Sequence, residues 1–161
     1  LAAAKAGAKK VVGVDSSEPA LALAQKAAAH NKLASRCDFV CADVFEDLDR
    51  RIANKEKFQI VVADPPAFVK SRKDVASGAR GYRKLAKRAA SVTAKNGFLF
   101  IASCSHNMDL PTFIESVSAG LNDTHRAGKI LHTCFAAPDH PVHPHLPESA
   151  YLKGLLLILG E

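Results

Sequence analysis

Short β-branched runs alternate with stretches of helical periodicity along most of the chain. Runs typical of buried strands lie at residues 11–15, 37–42, 58–63 and 98–102. Apolar residues spaced three and four apart predict helices at 18–33, around 45–52, at 79–95 and at 109–121. Ser16 or Ser17 can cap the first of these helices, and Asn96-Gly97 is expected to end the third. Gly7 is expected to follow the end of an earlier helix.

This order of elements predicts an α/β fold with a doubly wound sheet. Strands separated by helices pair in parallel through right-handed crossovers. Two later apolar runs, at 129–136 and 151–159, have no helix between them and predict an antiparallel last pair. No repeat or linker divides the 161 residues, so we expect a single domain.

Composition excludes several classes of protein. With 48% hydrophobic and 24% charged residues, the chain is neither disordered nor a coiled coil. No apolar run approaches the roughly 20 residues that span a membrane. The four cysteines show no C-x-x-C pairing, which argues against a disulfide framework or a zinc ribbon and favours a reducing, cytoplasmic compartment.

Polar or reactive residues follow four of the predicted strands, and these are Asp15, Asp43, Asp64 and Cys104. Ligands of such sheets bind at the carboxyl ends of the strands. The Asp15 carboxylate could accept hydrogen bonds from both hydroxyls of a ribose, and Asp43 from an adenine amino group. For either aspartate the alternative is a helix cap.

The segment from Asp64 to Phe68, with two prolines, predicts a stiff ledge. Such a ledge can present a carboxylate and a backbone carbonyl to a planar amine or amide, with Phe68 available for stacking. Cys104 lies between two serines, and a thiolate there could attack an electron-poor ring carbon. The alternative, a small buried apolar residue, is the interpretation we adopt for Cys37, Cys41 and Cys134.

Positive charge is concentrated in residues 67–88, which contain eight basic residues and one acid, Asp74. The net charge of the whole chain is only +6. Phe68 and Tyr82 are interleaved with the basic residues, a pattern that suits single-stranded nucleic acid. The alternative is a solvated helix face. The His/Pro-rich residues 139–145 do not match zinc-ligand spacing and predict a rigid loop without a metal.

The succession VVGVDSS, CADVFE, VVADPPAF, RGYRKL, FLFIASCSH and DHPVHPHLPESAYLKG resembles the bacterial class I S-adenosylmethionine-dependent methyltransferases that make 5-methylcytosine in large-subunit ribosomal RNA. The resemblance covers nearly the whole chain and implies a Rossmann-like methyltransferase sheet, S-adenosylmethionine as cofactor and large-subunit ribosomal RNA as partner. It implies Cys104 as nucleophile and Asp64 as the second catalytic residue. The cofactor-binding residues it implies are Asp15, Ser16, Asp43, Val44 and Asp64. The implied RNA-binding residues are Pro65, Pro66, Phe68, Lys70, Arg72, Arg80, Tyr82 and Lys84.

Two features of that family are not found in this sequence. Before the position of Leu1 the family carries a first strand with a glycine-rich turn, and it usually has a PUA-type RNA-binding domain. We therefore expect residues 1–161 to be a partial catalytic domain with a sheet truncated at its first strand. We expect this chain by itself to bind S-adenosylmethionine weakly or not at all and to be inactive. The oligomeric state stays open, a homodimer being one alternative.

Two other functions remain open at the level of sequence. An amino methyltransferase acting on a base nitrogen would use the same proline ledge and needs no thiol, so it differs from the cytosine enzyme at Cys104. A non-catalytic RNA-binding module would use only the basic segment. A dinucleotide-dependent oxidoreductase is disfavoured because no G-x-G-x-x-G motif occurs.

Overall fold

The computed structural model describes residues 1–160, which form two compact units, Leu1–Arg50 and the residues from Arg51 onwards. The elements of the first unit, in chain order, are α1 (Ala2–Lys5), β1 (Val11–Asp15), α2 (Glu18–His30) and β2 (Cys37–Cys41), followed by α3 (Val44–Ala53), which continues into the second unit. β1 and β2 pair in parallel. Helices and parallel strands alternate here as the sequence predicts.

Local chemistry explains the helix ends in this unit. The side chain of Ser17 caps α2 by accepting a hydrogen bond from the backbone N–H of Ala20 at 3.3 Å. α2 ends at His30, three residues before the predicted end, and Lys32 then takes a left-handed backbone conformation with φ 56°. Gly7, with φ 106°, lies two residues after α1 and reverses the chain there as expected.

The second unit contains a four-stranded mixed sheet and two long helices. Its further elements are β3 (Phe58–Ala63), α4 (Val75–Val92), β4 (Thr93–Ser103), α5 (Leu110–Asn122), β5 (Gly128–Phe135) and β6 (Lys153–Leu159). The strand order is β3-β4-β6-β5, with β3 parallel to β4 and β6 antiparallel to both of its neighbours. The predicted antiparallel last pair is confirmed.

The core of the second unit lies between one face of this sheet and the helices α4 and α5. Leu99 pairs with Leu157 and Ile101 with Leu155, and all four side chains are buried. Phe113 of α5 is buried with them. These apolar side chains hold β4 and β6 in register by burying their apolar area.

Two predictions of local structure were wrong. α4 begins and ends earlier than the predicted helix 79–95. It ends at Val92 because Thr93 takes an extended conformation, in which its hydroxyl donates to the carbonyl of Ala89 at 2.8 Å. Asn96 and Gly97 consequently lie inside β4 instead of ending a helix, and Asn96 has φ 57°. The strands of residues 1–160 form two sheets, β1-β2 and β3-β4-β6-β5, which agrees with the predicted sheet that lacks its first strand.

No helix within residues 1–160 has the length and apolar character required to cross a membrane.

Candidate active site

In the first unit, two of the predicted ligand-binding aspartates lie at the same end of the β1-β2 sheet. Asp15 is the last residue of β1, and its carbonyl accepts a hydrogen bond from the backbone N–H of Ala42, just beyond β2. Asp43 follows immediately. Both aspartates are exposed, as are the predicted cofactor neighbours Ser16 and Val44.

Both aspartates make local hydrogen bonds, but only Asp43 caps a helix. Oδ1 of Asp15 accepts from the N–H of Ser17 at 2.7 Å, and Ser17, not Asp15, caps α2. Oδ1 of Asp43 accepts from the N–H groups of Phe45 and Glu46 at 2.8 and 3.1 Å, at the start of α3. Only Oδ1 takes part in these bonds, so they are compatible with a ligand-binding role at both positions.

In the second unit, the proline ledge and the cysteine lie side by side. Ala63 pairs with Ile101, so β3 and β4 run to the same edge of the sheet. Beyond that edge the thiol of Cys104 lies 3.7 Å from the carbonyl oxygen of Pro65. Asp64 and Pro66 are exposed, while Cys104 is half-buried. A carboxylate, a backbone carbonyl and a thiol thus lie at one strand edge, as the sequence predicts.

A buried hydroxyl network fixes the turn that carries Cys104. The hydroxyl of Ser103 donates to Oη of Tyr82 at 2.7 Å, and Oη of Tyr82 lies 2.9 Å from Oγ of Ser105. Ser105 also accepts from the N–H of Val69 at 3.1 Å, which joins this turn to the chain beyond the proline ledge. Both serines are fully buried, so of the three residues Ser103, Cys104 and Ser105 only the cysteine is partly exposed.

The predicted RNA-stacking role of Tyr82 was wrong. Tyr82 is completely buried, with its ring centroid 4.8 Å from that of Phe68 and 5.1 Å from that of Phe113. Helical periodicity places it on the inner face of α4, together with Leu85 and Ala89. Its role is to anchor the cysteine turn. Phe68 is half-buried at the rim of the same cluster.

The basic segment lies mostly on the surface. The predicted RNA-binding side chains Lys70, Arg72, Arg80 and Lys84 are all exposed. Arg83, also exposed, forms two hydrogen bonds to the carboxylate of Asp123 in the loop after α5, at 2.8 and 2.6 Å. This contact raises the pKa of Arg83 and lowers the pKa of Asp123. The positive charge of Arg83 is therefore compensated within the protein.

Sequence reasoning missed Lys153, which lies next to the site. This side chain is buried at the start of β6, and its ammonium donates to the carbonyls of Ser105 and Tyr151 at 2.9 and 2.7 Å. Burial lowers the pKa of Lys153, and attraction to Cys104 and to Asp109 opposes that effect. The available signal was a single lysine at the edge of the apolar run Leu155–Leu159.

Hydrogen bonds connect the His/Pro-rich loop to the residues that follow it. His140 contacts the hydroxyl of Tyr151 at 2.7 Å, and the side chain of Ser149 accepts from the N–H of His143 at 2.9 Å. Within residues 1–160, no three or more His, Cys, Asp or Glu side chains are grouped so that they could hold a metal ion.

Comparison with known proteins agrees with this arrangement of strands. A family model described as a methyltransferase domain matches residues 1–141. The chain is 38% identical over 156 residues to the ribosomal RNA large subunit methyltransferase I of Aeromonas salmonicida, covering 96% of this chain and 39% of that protein. It is 36% identical over 152 residues to the protein of the same name from Pseudoalteromonas atlantica, covering 94% and 38%. The chain thus spans about two fifths of the length of these relatives.

Solved structures show the same fold. The crystal structure of SMU.776 complexed with SAH superposes with a TM-score of 0.82 at 23% identity, covering 98% of this chain and 41% of that one. The SAM-dependent methyltransferase from Agrobacterium tumefaciens superposes with a TM-score of 0.61 at 17% identity, covering 98% and 50%. The predicted α/β fold is therefore the fold of S-adenosylmethionine-dependent methyltransferases. By its match over residues 1–141, this chain belongs to the methyltransferase domain family.

Proposed function

We propose that this chain is part of the catalytic domain of an S-adenosylmethionine-dependent enzyme that methylates carbon 5 of cytosine in large-subunit ribosomal RNA. The observation that carries the proposal is the half-buried Cys104 thiol, 3.7 Å from the Pro65 carbonyl and held by two buried serines beside an exposed aspartate. The relatives named as large-subunit ribosomal RNA methyltransferases support the choice of RNA as substrate.

The residues at the end of the β1-β2 sheet fit the cofactor. Asp15 and Asp43 are exposed carboxylates that use only Oδ1 for local bonds. Asp15 would accept hydrogen bonds from the ribose hydroxyls and Asp43 one from the adenine amino group, with Ser16 and Val44 beside them. Bound S-adenosylmethionine supplies an electrophilic methyl group.

Cys104 would act as the nucleophile because carbon 5 of cytosine is too weakly nucleophilic to accept a methyl group unaided. Its thiolate forms a bond to carbon 6 of the base, and the electron pair of the ring double bond moves toward carbon 5. Once carbon 5 carries the methyl group, a water molecule acting as base takes the proton of carbon 5. The electrons of that carbon–hydrogen bond restore the ring double bond as the bond between sulfur and carbon 6 breaks, and the electron pair of the broken bond regenerates the thiolate.

Asp64 and Pro65 would hold the target base. An exposed carboxylate can accept hydrogen bonds from the cytosine amino group or from its protonated ring nitrogen, which stabilises positive charge on the ring as the thiolate adds. The Pro65 carbonyl offers a second acceptor next to the thiol. Because base edges and faces are covered in a helix, the target base must be unpaired or flipped out. The exposed Lys70, Arg72, Arg80 and Lys84 would contact its flanking phosphates.

The test is methyl transfer from labelled S-adenosylmethionine to unmodified large-subunit ribosomal RNA, followed by nucleoside analysis. The complete open reading frame that encodes this chain is used with Cys104→Ala and, as a matched control, Cys134→Ala, another half-buried cysteine. We expect label in 5-methylcytosine, at least about a thousandfold less with Cys104→Ala, and no change with Cys134→Ala.

Other outcomes assign other functions. Label in an N-methylated nucleoside that persists in Cys104→Ala would identify an amino methyltransferase. The Pro65 carbonyl beside Asp64 suits a planar amine equally well. RNA binding without any label would leave the non-catalytic binding module.

A further inference from the structure

Lys153 carries a positive charge into the interior beside the turn that holds the proposed nucleophile. It is 7% exposed, and as the first residue of β6 it pairs with Ser103, the last residue of β4. Its ammonium donates to the carbonyl of Ser105 at 2.9 Å and to that of Tyr151 at 2.7 Å. Cys104 therefore lies between two residues that contact Lys153, its strand partner Ser103 and its hydrogen-bond acceptor Ser105.

The surroundings do not neutralise this charge with a carboxylate in direct contact. No salt bridge within 4.0 Å joins Lys153 to any acid of residues 1–160. Both of its hydrogen-bond acceptors are neutral carbonyls. A buried cation without an anionic partner is unfavourable, and such groups occur preferentially at functional sites.

The other ionisable groups around the cysteine turn come from several elements. Asp64 follows β3, His106 is exposed within the turn, Tyr82 of α4 contributes a hydroxyl, and Asp109 caps α5. The carboxylates of Asp64 and Asp109 oppose a negative charge on sulfur. Lys153 makes no salt bridge to Asp64 or Asp109 within residues 1–160, but it donates to the carbonyl of Ser105, the residue that follows Cys104. A thiolate at Cys104 is therefore the anion that the position of Lys153 suits.

We propose that Lys153 is a positioning residue that holds the turn carrying Cys104 and stabilises the Cys104 thiolate by its charge. The proposal rests on the assignment of Cys104 as nucleophile. Lys153 keeps its proton throughout and forms no bond to the substrate. Its contribution is a positive charge next to the turn, which stabilises negative charge on the sulfur.

The test measures the rate at which iodoacetamide alkylates Cys104 between pH 6 and about pH 10, with the modified peptide identified by mass spectrometry. This readout requires neither RNA nor cofactor, so it can fail independently of the proposed methyl transfer. The complete open reading frame carries Lys153→Met, which removes the charge, or Lys153→Arg, which keeps it. Lys129→Met, at an exposed lysine of β5, is the matched control.

With Lys153→Met we expect alkylation about tenfold slower at pH 7 and equal to the wild type at about pH 10, where a cysteine is ionised without help. Lys153→Arg and Lys129→Met should retain the wild-type profile. A profile of Lys153→Met that superimposes on the wild type would overturn the proposal. So would a rate reduced by the same factor at every pH, because that reports changed access to sulfur.

Folding is checked by circular dichroism. Lys153→Gln keeps a neutral hydrogen-bond donor for the two carbonyls, so it decides the question where Lys153→Met does not fold. Loss of the fold in both neutral variants would assign Lys153 a purely structural role and contradict the proposal.

Discussion

Around Cys104, the positions of some side chains could be predicted from residue type and order in the sequence, and those of others could not. Asp64 and Cys104 could be placed at one sheet edge because the strand ends are visible in the sequence. The burial of Tyr82 was missed, since an aromatic residue among lysines and arginines suits RNA as well as it suits a core. The sequence shows Lys153 at the edge of an apolar run, but its position beside the cysteine turn could not be predicted, because that position depends on the register of β6 against β4.

Replacing Tyr82 with Phe should destabilise the protein without disturbing the aromatic packing. The Tyr82 hydroxyl is the partner of both Ser103 and Ser105, and these groups are fully buried. Its loss removes one hydrogen-bond partner from each of these two buried hydroxyls, so we expect the free energy of unfolding to fall by about 1–3 kcal/mol. Urea denaturation measures the change.

The control for this variant is Tyr151→Phe, whose hydroxyl bonds to the exposed His140. We expect that change to stay within about 0.5 kcal/mol. Equal losses in the two variants would show that the buried network contributes no stability of its own.

Among the secondary-structure elements, α4 and α5 depend on close approach. Apart from the start of β4, the bounds of the strands were predicted well, because the ends of apolar runs are visible in the sequence. β3 matches its predicted bounds. α4 was predicted four residues too late at its start because Val75 to Gly78 lack a clear helical pattern. How tightly α4 packs on α5 could not be predicted, since it depends on Gly120. A Cβ there would lie 2.5 Å from the carbonyl oxygen of Arg83 and 2.8 Å from the Cβ of Ala86.

Gly120→Ala should therefore destabilise the protein, although alanine is the better helix former by about 1 kcal/mol. Backbone atoms of α4 cannot rotate away, so the helices must separate, and we expect a net loss of about 1–3 kcal/mol. Thermal and urea denaturation report it. Gly160→Ala is the control, because a Cβ there meets Ala127 at an ordinary 3.6 Å. A stabilised Gly120→Ala protein would show that the gap between the helices is wider than described.

On the scale of the whole molecule, charge is distributed unevenly. Residues 67–88 hold eight basic side chains against one acid, in a chain of net charge +6. The sequence alone predicted this segment, because charge clusters that are contiguous in the chain need no fold to bring them together. The ion pair of Arg83 with Asp123 could not be predicted, since 40 residues separate them.

Neutralising Lys70, Arg72 and Arg80 together to Gln should weaken RNA binding and reduce its dependence on salt. Each lost phosphate contact lowers the slope of log affinity against log salt by about 0.7 for a single strand, so the expected decrease is about 2. Fluorescence anisotropy with a ribosomal RNA fragment at several salt concentrations measures it. The control neutralises Lys5, Lys9 and Lys26, which changes the net charge equally, and its slope should remain unchanged. An equal decrease in both would indicate a diffuse charge effect.

The strand order β3-β4-β6-β5 has a consequence for synthesis of the protein. β6 follows β5 in the chain but lies between β4 and β5, so those two strands cannot join until β6 has left the ribosome. The cysteine turn emerges some 50 residues earlier, yet it receives its buried ammonium only with Lys153. A chain terminated before β6 therefore carries the Cys104 thiol without the ammonium of Lys153. Under the proposed function, the nucleophile gains this positive charge only after β6 has been synthesised.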